Sequence, residues 1–128
     1  MSQRGIRKET RLNFEDALTK LPTLLKDEGF GILTEIDVRD TLREKLDVEF
    51  RRYRILGACH PPFAHAALLT DLEVGLAMPC NVVVYEDDRG RAVVMAVDPL
   101  TVIAGDERLT DIATELRARL SRVLERLV

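Results

Sequence analysis

The chain has 128 residues, of which 46% are apolar and 32% are charged, and its net charge is −3. These proportions are typical of a soluble globular domain, so we expect one domain over residues 1–128 that buries roughly two thirds of its unfolded surface. A nucleic-acid binder needs a basic face. The acidic balance therefore predicts no nucleic-acid partner.

The first twelve residues, MSQRGIRKETRL, lack the apolar core of a secretory signal peptide. No apolar run approaches the ~20 residues that cross a bilayer. We therefore expect a cytoplasmic protein without a membrane partner, in which the two cysteines, Cys59 and Cys80, are reduced.

The first third of the chain predicts a strand, a helix and a second strand. Residues 4–12 alternate weakly and predict an edge strand. In NFEDALTKLPTLLKDEGF the apolar residues recur at helical spacing after Asn13, a good N-cap, and Gly29 predicts the end of the helix. Pro22 predicts a kink or a break within it. FGILTEI predicts a strand with four residues on one face: Phe30, Ile32, Thr34 and Ile36.

The middle of the chain predicts a short helix, a strand, another helix and a hairpin. Asp37 is a suitable cap for a helix that reaches about Leu46, and RYRILGAC follows as a strand. PPFAHAALLTDLEVG predicts a helix with Pro61 in its first turn, where a missing amide hydrogen costs nothing. CNVVVYE and RAVVMAV flank the turn DDRG and predict a β-hairpin.

The last segment carries the longest helical pattern. DPLTVIAGD predicts a loop with one helical turn, and apolar residues then recur at spacings of three and four from about Glu107 to Leu127. Packing of this helix against the sheet is favoured over a coiled coil, because the pattern lasts fewer than three heptads. The elements together predict an α+β domain, in which helices cover one face of a largely antiparallel sheet.

Cys59 ends one predicted strand and Cys80 begins the next. If these strands are antiparallel neighbours, the end of one lies beside the start of the other, and the two thiols meet at one edge of the sheet. A parallel pairing would separate them by the length of a strand.

Cys59 also precedes a predicted helix, where free amides and the positive end of the helix dipole favour the thiolate. Asn81 is a candidate hydrogen-bond donor for this site, and His60 is a candidate helix cap or ligand. Cys59, Cys80 and His60 are a candidate ligand set for a soft metal ion such as zinc or copper, although no C-x-x-C motif supports it. Both cysteines can equally be small apolar core residues.

Four segments in this order, GFGILTEIDVRDTL, YRILGACHP, GLAMPCNVVVYED and AVDP, precede a terminal amphipathic helix. In this the chain resembles the family catalogued as domain of unknown function 302. The resemblance implies a curved antiparallel sheet backed by helices, similar to the TATA-binding protein, and a homodimer. It places the two cysteine positions of the family at Cys59 and Cys80. The family commonly has Asn where this chain has His60.

Three functions remain open from the sequence. The first, and the one we favour, is a small-ligand or metal-binding module built on Cys59 and Cys80. The second is a thiol redox protein or enzyme, with Cys59 as the attacking thiolate and Cys80 as its resolving partner. The third is a dimeric interaction domain without chemistry, which uses the terminal helix or an exposed strand as its contact surface.

Overall fold

Five strands pair in the order β1-β5-β4-β3-β2, and every neighbouring pair is antiparallel. The computed structural model describes residues 4–103 and 106–128. The sheet is open, with β1 and β2 at its two edges. The strands are β1 (Gly5–Glu9), β2 (Gly31–Asp37), β3 (Tyr53–Cys59), β4 (Cys80–Glu86) and β5 (Ala92–Val97).

Within the described residues, five α-helices connect or follow the strands: α1 (Phe14–Asp27), α2 (Val38–Leu46), α3 (Pro61–Thr70), α4 (Pro99–Val102) and α5 (Thr110–Glu125). Two short 3₁₀ helices, Leu72–Ala77 and Glu107–Leu109, follow α3 and precede α5. No helix in the described part of the chain is long and apolar enough to cross a membrane.

The core lies between one face of the sheet and the helices α1 and α5. Side chains alternate between the two faces of a strand, so one set of strand residues points at the helices, among them Leu56, Val82 and Val94. Leu21 and Leu120 pack on them from α1 and α5, and all five side chains are fully buried. The predicted α+β class, with a long carboxyl-terminal helix packed on the sheet, is confirmed.

Helix α1 begins and ends where the sequence predicts. The Asn13 side chain accepts a hydrogen bond from the amide of Asp16, and Gly29 follows the helix with a φ of +89°. Bonds from the amide of Gly29 to the carbonyl of Lys26, and from the amide of Phe30 to the carbonyl of Leu25, complete a Schellman cap.

Pro22 does not break α1, which runs through it without interruption. The proline is exposed, whereas Leu21 and Leu25 are fully buried in the core. The missing amide thus leaves a carbonyl without its helical partner, while the apolar stripe of the helix stays packed. Burial of large side chains contributes about 1.5–3 kcal/mol each, so packing offsets the loss of one hydrogen bond.

The predicted single face of β2 is wrong, because the strand contains a bulge. Ile32 pairs with Ala58, but Thr34 pairs with Gly57 and Ile36 with Ile55, so the register shifts between residues 32 and 34. A bulge adds one residue to one strand and exchanges the faces beyond it. Ile32 packs against the core, whereas Ile36 is exposed on the other side of the sheet.

The second face of the sheet, on the side opposite α1 and α5, is largely apolar. One row of paired residues crosses all five strands: Ile36, Ile55, Val83, Met95 and Arg7. In the next row Tyr53 and Tyr85 stack with ring centroids 5.6 Å apart. We refer to these two rows as the open face.

Candidate functional site

Of the two pairings that the sequence left open, the strands that carry the cysteines have the antiparallel one, but their register separates the two side chains. Cys80 lies opposite Ala58 on β3, and Cys59 lies opposite Gly31 on β2. Since neighbouring residues of a strand point to opposite faces, Cys80 points to the helix-covered face and Cys59 to the other. Both thiols are free. The prediction that the two thiols meet as a pair is therefore wrong. Cys80 lies opposite Ala58, the residue before Cys59.

Both cysteines nevertheless line one small cavity, of about 40 Å³. It lies where β3 ends and β4 begins, under α3 and the 3₁₀ helix Leu72–Ala77, and it reaches α4 and α5. Its walls are almost entirely apolar. They consist of alanines of α3 and of five larger side chains: Phe63, Met78, Ile103, Ile112 and Leu116.

Cys80 is a half-buried thiol that stays protonated at neutral pH. Burial, and to a smaller extent the nearby Cys59, raise the pKa of Cys80 to about 11. The side chain packs against the main core beside the strand residues of the helix-covered face. Two interpretations of Cys80 were open, a small apolar wall residue and a reactive thiol. Its apolar surroundings and raised pKa fit the first better.

His60 is the N-cap of α3, which settles its role in the start of the helix. Its Nδ1 accepts a hydrogen bond from the amide of Phe63 at 3.4 Å. The ring packs edge-on against Phe30, with centroids 5.4 Å apart, and against Phe63 at 4.4 Å. On the other side its Nε2 lies so close to Gly29 that a Cβ there would come within 2.6 Å of it.

The predicted metal site of Cys59, Cys80 and His60 finds no support in the geometry. No group of three His, Cys, Asp or Glu side chains within residues 4–103 and 106–128 could hold a metal ion. The cysteines point to opposite faces of the sheet, so they cannot bind one ion together. The imidazole of His60 caps α3 and packs on two phenylalanines.

The free amides expected beside Cys59 are absent from the first turn of α3. Pro61 and Pro62 have no N–H, the amide of Phe63 donates to His60 Nδ1, and the amide of Ala64 donates to the carbonyl of His60. The two prolines were visible in the sequence, and they argue against an amide-stabilised thiolate.

Asn81 is not part of this site. It pairs with Gly57, is exposed on the side of the sheet without helices, and does not line the cavity. The residues that the sequence did not single out are the wall residues of α3, the 3₁₀ helix and α5. A signal for them existed in the alanine-rich helix α3, whose small side chains leave space beside the end of the sheet.

Comparison with known proteins adds the family. A family described as "Domain of unknown function DUF302" matches residues 6–127. The chain belongs to this family. It is similar over 99% of its length to an uncharacterized conserved DUF302 protein from Bacillus stearothermophilus, with 28% identity, a TM-score of 0.92 and 100% of that crystallised chain covered. No curated protein sequence matches the chain. The DUF302 membership expected from the four segments is confirmed, and it assigns no activity.

His60 predicts a loss of stability in mild acid. Burial, and then the positive charge of Arg119, lower the pKa of His60 below its usual 6.5. Below pH 6.5 His60 therefore binds a proton more readily in the unfolded chain than in the folded chain. The stability that neutral His60 contributes above pH 6.5 is lost as the pH falls through its pKa in the folded protein. A protonated ring also cannot accept the cap bond.

We expect the free energy of unfolding, measured with urea, to fall between pH 7 and pH 5. His60→Asn, which keeps a capping acceptor without titrating there, should flatten this profile. The matched control His65→Asn, at an exposed position of α3, should leave the profile unchanged. An equal slope in all three proteins would contradict the role given to His60.

Cys80 predicts an unusual pH dependence of alkylation. In a Cys59→Ser protein only Cys80 can react, and with a pKa of about 11 roughly one thousandth of it is thiolate at pH 8. We expect the iodoacetamide rate to rise about tenfold per pH unit from pH 7 to 9.5. The same protein in urea is the control, and its rate should level off near pH 9. A plateau in the folded protein below pH 9 would show that Cys80 is not shielded.

Proposed function

We propose that this DUF302 protein is a small binding module whose site is the apolar cavity at the ends of β3 and β4. The observation that supports it is a cavity with two cysteines in its wall and no free hydrogen-bonding side chain, since the acceptor nitrogen of His60 is used as a cap. A buried water needs two to four polar partners. This cavity offers too few, so its natural occupant is an apolar group.

The size of the cavity limits that group. About 40 Å³ exceeds the space that one water requires, roughly 10–15 Å³, but falls well short of the ~150 Å³ cavity that binds benzene. It accommodates the end of a short alkyl or thioether chain. Two buried methylene groups would contribute about 1.6 kcal/mol, so the rest of a ligand must make contacts outside the cavity.

A thiol redox function is less well supported. It would require Cys80 to act as a resolving thiolate against Cys59. The raised pKa of Cys80 keeps it protonated, and the register turns the two side chains to opposite faces. A zinc or copper site through the same cysteines has the same difficulty.

Xenon under pressure is the probe for this proposal, because it enters dry apolar cavities. We expect xenon to shift the NMR signals of the amides around Cys80 and Ala67, which line the cavity. Ala64→Leu, which adds three carbons at a wall position of α3, should abolish these shifts. The control Ala66→Leu lies on the same helix but outside the lining. Shifts that are equal in both variants would disprove a cavity site.

The open face supports a second candidate function, a homodimeric interaction domain. Strands buried on both faces carry continuous apolar runs, and β4 and β5 contain Val82–Val84 and Val93–Met95. In the single chain only one of these faces is covered by helices. The charged residues of the two rows, Arg7 and Glu9, both belong to the edge strand β1 and pair at 2.8 Å. The guanidinium of Arg7 also interacts with the side chain of Tyr85 on β4.

A second copy is the occupant that fits this face. An apolar centre with charges at the rim is the pattern of homodimer interfaces. Five strands about 4.8 Å apart, each about six residues long, give a footprint of roughly 500 Å². That is of the order of the ~800 Å² that each partner contributes to a stable complex.

Val83→Lys places a charge at the centre of the open face, on the middle strand β4. We expect the wild-type chain to be a dimer by light scattering and the variant to be a folded monomer, because a buried unpaired charge costs several kcal/mol. Leu72→Lys, at an exposed position of the 3₁₀ helix, is the control and should remain dimeric. A wild-type chain that is monomeric at high concentration would rule out this function.

A further inference from the structure

The two rows of the open face offer less surface than a stable homodimer needs. Their footprint is roughly 500 Å², whereas each partner of a standard complex contributes about 800 Å². A homodimer on this face therefore requires further apolar surface that borders the two rows.

Apolar surface of this kind lies at the end of α2 and in the segment that leads to β3. Phe50 is 43% exposed, and its ring centre lies 6.4 Å from that of Tyr53 on the open face. Tyr53 in turn stacks on Tyr85 of the middle strand β4. Three aromatic rings thus connect this segment with the open face. Leu46 and Val48 are also exposed. We refer to residues 46–50 as the arm.

The ion pair of Arg52 shows on which side of the sheet Phe50 lies. Arg52 pairs with Glu15 of α1 at 2.9 Å, so its side chain points to the helix-covered side. Its carbonyl accepts a hydrogen bond from the amide of Glu86, which extends the pairing of β3 with β4 to this residue. Neighbouring residues of an extended chain point to opposite faces. Tyr53 therefore points to the open face, and Phe50 lies beside its ring on the same side.

The arm is held at both ends, although its apolar side chains are exposed. Asp47 ends α2 with a φ of +52°, and its amide bonds to the carbonyl of Arg43 at 3.0 Å. Directly after the arm, Arg51 donates to the carbonyl of Glu86 at 3.0 Å and pairs with Asp88 at 3.1 Å. A segment that is already ordered loses little conformational entropy when it binds. The arm is therefore suited to contact a partner without rearrangement.

On the basis of the homodimer proposed for the open face, we propose that the arm is part of the dimer interface and that Phe50 contacts the sheet of the second copy. An aromatic side chain buries roughly 150–250 Å², so a ring that is 43% exposed adds about 90 Å² to the footprint. Leu46 and Val48 enlarge it further. A two-fold dimer makes each contact twice, so both arms contribute. A second copy is the occupant that fits, because the arm continues the open face and supplies area that the two rows lack.

Phe50→Ser tests the arm through the dissociation constant of the dimer, measured by sedimentation equilibrium. We expect the constant to rise at least thirtyfold, because a symmetric dimer loses the contact twice and aromatic anchors are costly to truncate. Phe50→Leu, which keeps an apolar side chain, should raise it less. The matched control Leu76→Ser, at a 92% exposed position of the 3₁₀ helix Leu72–Ala77, should leave it unchanged. Circular dichroism should show the same fold in all variants, since Phe50 belongs to neither buried cluster.

NMR on a mixture of isotope-labelled and unlabelled protomers measures the contact directly. We expect intermolecular NOEs from the ring of Phe50 to the open face of the second copy. A wild-type dimer without these NOEs, or a dissociation constant that Phe50→Ser leaves unchanged, would overturn the role of the arm and leave the homodimer intact. A wild-type chain that is monomeric at high concentration would overturn both.

Discussion

The pairing of β3 with β4 in one particular register determines what the rest of this molecule can do. Ala58 lies opposite Cys80, and this single alignment decides which residues of two central strands point to the helices and which point away. A shift of one residue would exchange the faces and would bring Cys59 opposite Cys80. The alignment is held by burial, because Leu56 and Val82 share the same face and are both fully buried.

The start of α3 is the second constraint, and it links the cap to the cavity. His60 ends the extended chain after Cys59 and caps the helix, so its ring fixes the position of Phe63 directly over the end of β3. Arg119 of α5 lies over the ring of Phe63, with its guanidinium 5.6 Å from the centre of that ring. The cavity wall thus depends on the neutral imidazole of His60, which packs on the same phenylalanine as the guanidinium of Arg119. Protonation of His60 would place a second positive charge beside this guanidinium.

Much of the fold could be predicted, because local signals specify it. Asn13 and Asp37 cap helices through their own side chains, and the spacing of apolar residues in the last helix identifies the face that packs on the sheet. Register and bulges have no such local signal. Ile32 and Ile36 suggest one face in the sequence, and only the pairing with β3 shows that a bulge separates them.

The candidate site was predictable in place but not in chemistry. The end of β3 and the start of β4 do meet, as two antiparallel neighbours must, and the cavity lies there. What the two cysteines do at that place depends on burial and on the side of the sheet, and these are properties of the packed structure. A thiol next to a helix start suggests reactivity, whereas Pro61 and Pro62 remove the amides on which that reactivity would rest.

The geometry also separates the two proposed functions in space. The cavity lies at the end of the sheet, among α3, α4 and α5. The open face lies on the side of the sheet without helices, and its central row is Ile36, Ile55, Val83, Met95 and Arg7. Strands β3 and β4 contribute to both: their ends carry Ala58, Cys59 and Cys80 of the cavity wall, and their other ends carry side chains of the open face. A second copy on the open face would leave the helices over the cavity uncovered, so each protomer of such a dimer would carry its own complete cavity. Ligand binding and dimerisation should then be independent unless β3 and β4 move, and both of these strands are paired on both sides.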